Sequence, residues 1–472
     1  MEHAVGFRSL EREVEGVDLE VTGRVPAWLT GALVRTGPAR FEVGERSLRH
    51  WFDGLAMLHR FAFAGGAVSY SNRFLHSQAF EHAQRTGEIG YSEFATDPCR
   101  SVFRRAQTLF SPASALTDNG SVNVVRFGGE TLALTETPMP VAFDQSTLET
   151  LGVTDWAEHV PGQVTIAHPH HERATGELLS YATHLGPRNR YRLYAVAPDR
   201  TLRTIADVPV DRPAYMHSFA LTERYAVLAE WPLTVNPLKL ALSGRPFIEN
   251  YVWDPERGTR YTVIDRTDGS VRARVQGPSR FAFHHVNAFE RDGELLLDAS
   301  TYEDPSIIDL LYLDRIRSGA ELPPATLTRH RVPLDGGDAT LEPLAEPTFE
   351  LARIDYGSFN GREYRHAWGA SDRTRTFLDS LVRLDVSGED EPRWWYEDGC
   401  YPGEPVFVRH ERPDEGAILS IVLDARRETS FLLVLDATTM EEVARAEVPH
   451  AIPFHFHGDY INDPTPSVAK EG

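Results

Sequence analysis

Histidines recur in four aromatic or apolar settings between residues 168 and 457: TIAHPH, AYMHSFALTERYAVL, RFAFHHVNAFE and IPFHFHGDYI. These carry His168, His217, His284 with His285, and His455 with His457. Imidazole suits zinc, copper, iron and nickel. With no cysteine beside any of the four settings, an iron–sulfur cluster or a structural zinc site is disfavoured. Ligands this far apart cannot share one helix or loop, so a site built from them must gather side chains from separate strands. The centre of a closed β-architecture offers such a point. In a strand His284 and His285 face opposite ways, so only one aims at a shared axis, whereas His455 and His457 share a face and spacing leaves both open. His170 and His171 precede the turn-like ERATGE and are expected in solvent.

A histidine that binds a metal normally donates its second ring N–H to a carboxylate or carbonyl, which fixes the tautomer. Three glutamates sit in apolar, strand-like surroundings: Glu136 ends TLALTE, Glu350 lies in TFELARIDYG and Glu404 in PGEPVFV. Each needs a partner there, because an unpaired buried carboxylate is costly. An arginine or partial exposure is the alternative to a histidine.

The elements that must position these groups read as strands. Runs such as NVVRF, TLALTE, RYAVLAEW, GELLLDAS, GAILSIVLD and SFLLVLD recur from end to end, separated by Asp, Gly, Asn or Pro turns. Repeated strand pairs over 472 residues point to an all-β chain, with a β-propeller favoured over a barrel or stacked sandwiches because radial repetition protects strand edges. No strict period fixes a blade count. The chain is expected to form a single unit over 1–472, with 463–472 as a frayed tail. Two segments break the rhythm. Residues 97–111 (DPCRSVFRRAQTLFS) predict a short amphipathic helix with Cys99, Val102, Phe103, Ala106, Leu109 and Phe110 on one face, suited to capping the sheet or to contacting a membrane. Residues 232–247 (PLTVNPLKLALSGRPF) predict a leucine-rich loop, which would mark a lipid or ligand entrance if exposed.

Composition excludes several classes. A formal net charge of −21 disfavours nucleic acid, which demands a basic stripe. Lysine occurs only at Lys239 and Lys470, and the cysteines, Cys99 and Cys400, allow at most one bridge. The N-terminal MEHAVGFRSLEREVEG lacks a basic stretch followed by an apolar run, and apolar runs such as Ala417 to Leu423 are strand-sized. A soluble, cytoplasmic protein is expected.

An ordered set of motifs carries a family resemblance: HWFDG (His50 to Gly54), ATDPCRSVF, ALTETP, TIAHPH, MHSFALTERY, PLKL with SGRPFIENY, FHHVNAFE, SIIDLLYLDR, GEPVFV, LDARRETSFLLVLDATTMEEVARA and FHGDYI. Over roughly residues 5–462 the chain resembles the carotenoid cleavage oxygenases, the superfamily that includes the retinal pigment epithelium membrane protein. The resemblance implies a seven-bladed β-propeller with a helical and loop cap and one non-haem Fe(II) per chain on its axis. It assigns the ligands to His168, His217, His284 and His457, and the outer glutamates to Glu136, Glu350 and Glu404, orienting His217, His284 and His457 and leaving His168 without one. His455 departs from the family, which often has a small residue there. Phe94 and Thr135 are implied along the substrate cavity.

The implied activity is dioxygenase cleavage of a carotenoid or apocarotenoid C=C bond with O2, giving two carbonyl products. The partners are a hydrophobic polyene, O2 and, through the two apolar segments, the inner surface of a membrane. A stilbenoid-cleaving relative is the nearest alternative, but such enzymes grip the phenol with a lysine and a tyrosine, and neither lysine lies near Glu136. Retinyl-ester isomerisation is an animal visual specialisation that this arginine-heavy chain does not suggest. A metal-dependent propeller hydrolase and a non-catalytic scaffold are the readings from other classes; calcium is disfavoured by the histidines. The bond cleaved and the oligomeric state are not set by the sequence.

Overall fold

The segment DARRETS shows how the strands arise. Asp424 Oδ1 accepts hydrogen bonds from Arg426 N and Arg427 N at 3.1 and 3.0 Å, folding the chain back so that Gly416–Asp424 pairs antiparallel with Thr429–Asp436. Repetition of such hairpins produces seven antiparallel sheets of four to six strands in the computed structural model, which describes residues 2–98, 116–172, 174–375 and 377–462. They are the blades of a propeller. The blade count that no sequence period could supply is therefore seven.

The innermost strands, in blade order, are Gly458–Ile461, Asn123–Phe127, His170–His171, Ala220–Leu221, Phe281–Arg291, Glu350–Arg353 and Val406–Arg409. Neighbours among them touch around the axis, as Phe281–Arg291 touches both Ala220–Leu221 and Glu350–Arg353. The first and last blades exchange strands. Glu20–Gly23 pairs with Glu442–Val448 in the seventh, while Gly458–Ile461 pairs with Gly31–Arg40 in the first.

Alternation along each strand sends apolar side chains into the seams between sheets. Leu33 and Phe61 of the first blade meet Leu419 and Leu432 of the seventh, and Trp368 and Leu381 of the sixth meet Ile418 and Leu433. Fully burying such a side chain contributes about 1.5–3 kcal/mol, so the ring is held seam by seam.

One axial face is covered. The connection between Glu294–Tyr302 and Thr326–Pro333 folds into helices Ser306–Leu310 and Leu313–Ser318. His50 Nε2 donates to the Ile308 carbonyl at 2.9 Å, and Trp51 N to the Leu311 carbonyl at 3.1 Å. This is the expected cap. Residues 97–111 fall almost wholly outside the described residues, as do Cys99 and 463–472; Cys400 is a buried thiol.

Two expectations are corrected. The stretch 232–247 is a strand, Leu233–Val235, followed by a helix, Pro237–Ser243, because Asn236 caps Leu238 N and Lys239 N and Gly244 ends the helix at φ 64°. His170 and His171 are not in solvent: they form the innermost strand of the third blade, where packing around the axis leaves them only partly exposed.

Burial holds several imidazoles neutral. His50 and His330, both fully buried, are each pushed down from 6.5 to about 3, chiefly by desolvation. Below 6.5 the unfolded chain protonates these groups while the folded one does not, so stability falls with pH until about 3, by up to about 1.4 kcal/mol per pH unit for each group. Asp53, raised to about 6 by burial, acts oppositely but only between that value and 3.8. The thermal midpoint is expected to drop between pH 7 and 5. An unchanged midpoint would contradict neutral buried histidines.

Candidate metal centre

Each of the four histidines stands at the axial end of an innermost strand. His168 precedes His170–His171 and His217 precedes Ala220–Leu221; His284 lies within Phe281–Arg291, and His457 precedes Gly458–Ile461. Their loops are pinned. The Ala167 carbonyl accepts from Asn123 Nδ2 at 2.8 Å, the Met216 carbonyl from Tyr181 at 2.6 Å, and His457 N donates to the Val122 carbonyl at 3.2 Å. The result is convergence. One ring nitrogen from each histidine lies within 4.8 Å of the others, with His168 Nε2 to His217 Nε2 at 3.1 Å and His284 Nε2 to His457 Nε2 at 3.0 Å.

The three glutamates come from the remaining blades. His217 Nδ1 lies 2.7 Å from Glu136 Oε1, His284 Nδ1 2.6 Å from Glu350 Oε2, and His457 Nδ1 2.7 Å from Glu404 Oε1. No carboxylate stands against His168 among the described residues. Sequence reasoning missed the groups behind the glutamates. Tyr215 and Tyr302 donate hydroxyls to Glu136 and Glu350 at 2.9 and 3.0 Å, while Arg353 and Arg35 donate to Glu404 at 2.7 and 3.0 Å. The only signal was an arginine inside each of two otherwise apolar runs, ALVRTG and FELARI.

These partners set the chemistry of the donor set. A carboxylate accepting from Nδ1 leaves Nε2 as a bare lone pair. The facing Nε2 atoms of His284 and His457 are then two acceptors 3.0 Å apart with no proton between them, an arrangement that a cation relieves. Protonation is resisted, since burial pushes His457 down to about 3 against the pull of Glu404, and drives His168 well below its usual value, reinforced by His457. Glu404 and Glu350 are held below the usual carboxylate range: burial opposes this, and Arg353 with His457 and Arg35 in the first case, His284 in the second, outweighs it. The residues fit a bound transition metal.

The chain was compared with known proteins. The family model for retinal pigment epithelial membrane protein matches residues 7–462. The chain belongs to the carotenoid cleavage oxygenase family. A mitochondrial carotenoid-cleaving dioxygenase of Macaca fascicularis is 33% identical, covering 96% of this chain and 93% of its own. A beta,beta-carotene 15,15'-dioxygenase of Mus musculus is 31% identical over 98% and 92%. Among solved structures, an apocarotenoid oxygenase of Synechocystis superposes with a TM-score of 0.86 at 25% identity, covering 98% of both chains; a cobalt-substituted form of the Synechocystis protein gives the same score at 26% identity.

In this carotenoid cleavage oxygenase three of the histidines, His217, His284 and His457, open onto an apolar cavity. Phe52, Phe283 and Phe456 line it beside His217, His284 and His457, and Leu322, Pro324 and Leu378 line it further out. Phe94 and Thr135 do not line this cavity. Phe94 packs behind Phe52, with ring centres 5.1 Å apart, against His50 and Tyr215, and Thr135 leaves its strand just before Glu136.

The two ambiguous histidine pairs are resolved by backbone irregularities. Strand Phe281–Arg291 is bulged on either side of His285, and His285 Nδ1 turns to Ser218 Oγ at 2.7 Å. Residues 451–457 are not a strand, so His455 and His457 do not share a face; His455 packs on His59, 4.4 Å between ring centres. A second grouping, His366 with Asp385 and Asp390, is already served by the Arg365 guanidinium on Asp385 at 2.7 Å.

Proposed function

We propose that the chain, acting over 1–472 as one catalytic propeller domain, is a non-haem Fe(II) dioxygenase that cleaves a C=C bond of a carotenoid or apocarotenoid. The observation that carries this reading is the convergence of four imidazole Nε2 atoms, three of them oriented by glutamates, beside an apolar cavity that His217, His284 and His457 line. His168, His217, His284 and His457 would hold the ion, and Glu136, Glu350 and Glu404 would fix three of the rings. Fe(II) in such an all-nitrogen set supplies redox activity toward O2. The reaction balances without a cosubstrate, since one alkene and one O2 become two carbonyl groups and no proton is exchanged.

The chain's own part is positioning and exclusion of water. Phe52, Phe283 and Phe456 offer aromatic faces beside the histidines, suited to a polyene, and the rest of the lining is mostly apolar, as in small-molecule sites. Among the described residues no lysine lines it, which leaves stilbenoid recognition there without its basic group. The deciding experiment is aerobic incubation of the iron-loaded protein with carotenoids, apocarotenoids and stilbenes under isotopically labelled O2. Two carbonyl products, each carrying label, are expected from a polyene. Activity that persists without O2 would replace this reading with a hydrolase.

We place a membrane contact on helix Pro237–Ser243. Leu238 and Leu242, four residues apart and on one face, are 69% and 67% exposed, and Val252 nearby is 64% exposed. No described helix is long and apolar enough to cross a membrane, so the contact would be peripheral. Leu238→Asp with Leu242→Asp is expected to abolish co-sedimentation with lipid vesicles at unchanged thermal midpoint. Undiminished sedimentation would remove the helix from this role.

A further inference from the structure

His457 is held through the main chain by its own N–H on the Val122 carbonyl at 3.2 Å and by Thr36 N on its carbonyl at 3.4 Å, outside any regular element. His284 lies in a strand. The segments bearing His168 and His217 are each pinned by an isolated bridge, Val164 to Thr183 and Ala214 to Thr234. Residues 451–457 form no strand, helix or bridge.

Two arginines add side-chain ties to these main-chain bonds. From Gly31–Arg40, Arg35 sends Nη1 to Glu404 Oε2 at 3.0 Å and Nη2 to the Phe456 carbonyl at 2.8 Å. From the sixth blade, Arg353 sends Nε to Glu404 Oε1 at 2.7 Å and Nη2 to the Gly458 carbonyl at 2.5 Å. Glu404 accepts from Gly458 N at 3.1 Å as well as from His457 Nδ1. The carbonyls of both residues flanking His457, and the carboxylate that orients its ring, are thus tied to the same two guanidiniums. Arg35 and Glu404 are each 1% exposed. A Cβ on Gly458 would fall 2.5 Å from Arg35 Cγ, so the chain is glycine where it rides over that side chain.

The partners of His217 and His284 are held differently, by neutral tyrosine hydroxyls. We propose that Arg35 is a positioning residue for the metal centre: its fork, spread between Glu404 and the Phe456 carbonyl, sets where the His457 imidazole stands. The inference rests on the four-histidine metal reading above. A guanidinium reaches two acceptors at fixed separation, whereas an ammonium is a point charge. Arg35→Lys therefore keeps the buried charge and loses the geometry.

The test uses Co(II) as the bound probe. Release of Co(II) to excess chelator is expected to be about tenfold faster in Arg35→Lys, the lower end of what disturbing a ligand's hydrogen-bond partner costs, with an altered visible absorption band. Arg329→Lys is the control, because Arg329 is equally paired with buried Asp298, at 2.8 Å, but in a blade wall; wild-type release is expected there. Added to Glu404→Gln, Arg35→Lys is expected to give much less than a further tenfold, since the two act in one network. Wild-type release and band in Arg35→Lys, or equal acceleration in Arg329→Lys, would overturn the proposal, as would full additivity. If Arg35→Lys does not accumulate, Arg353→Gln is read in the same way, with faster release expected and wild-type release overturning the clamp. Failure of the wild type to retain one Co(II), or full retention by His457→Ala, would instead overturn the metal reading itself.

Discussion

Replacing His457 with alanine is expected to give a folded protein that retains no iron and cleaves no polyene. Losing a hydrogen-bond partner of a ligand costs about 10–100-fold in metal affinity, and losing the ligand itself removes more, so a drop beyond a hundredfold is anticipated. The fold survives because the carboxylate left behind is not stranded. Glu404 keeps Arg353, Arg35 and Gly458 N after the imidazole is gone. Metal analysis beside a thermal melt checks both halves, and near-full iron occupancy in the variant would count against His457 as a ligand. His284→Ala should behave alike, whereas His455→Ala and His285→Ala should keep their iron.

The reverse experiment separates the carboxylate from the ligand. Glu404→Ala leaves the buried Arg35 guanidinium and the partly buried Arg353 without their shared counter-charge, and breaking a buried pair from one side costs about 3–5 kcal/mol. That is the largest stability loss expected at this site, visible as a sharply lowered unfolding midpoint. Glu404→Gln keeps the shape and one acceptor oxygen but sets an NH2 against a donor. A smaller stability loss and a turnover lowered by about 10–100-fold are expected. Equal melting of the alanine and glutamine variants would mean that the acceptor oxygen kept by glutamine does nothing for the arginines once the charge is gone. Unaltered turnover in Glu404→Gln would end its role in orienting His457.

The sequence made the strand architecture legible because apolar runs and turn residues are local signals. The blade number was not, since no repeat recurs at a fixed period and the sheets vary from four to six strands. His217 stood out as a lone histidine in an apolar setting, and His168 as the one that ends TIA ahead of the turn-like run holding His170 and His171. The pairs His284–His285 and His455–His457 could be divided by family resemblance but not by alternation, for a physical reason. The two-residue period assumes an unbroken strand, and here one member lies at a bulge and the other pair lies outside any strand.

His170 misled because its turn-like sequence says nothing of its place at the axis, which is a tertiary fact. The helix at Pro237–Ser243 was readable after all: Asn as cap, Pro at the first position where a missing N–H is harmless, and Gly after the last turn are standard boundaries. Arg35 was marked only by its place in an apolar run; its role could not be read, because its partners are Glu404 and the Phe456 carbonyl, distant in the chain.

The strand exchange between the first and last blades has one more consequence. Gly458–Ile461, the strand that shuts the circle, begins at the residue following His457. With the proposed ion bound by His457, the molecule could spring open at that join only by tearing an imidazole from it, so the metal would double as a latch. Stripping it should let the circle breathe first where the two ends of the chain overlap, and loading it should harden that same overlap against proteases.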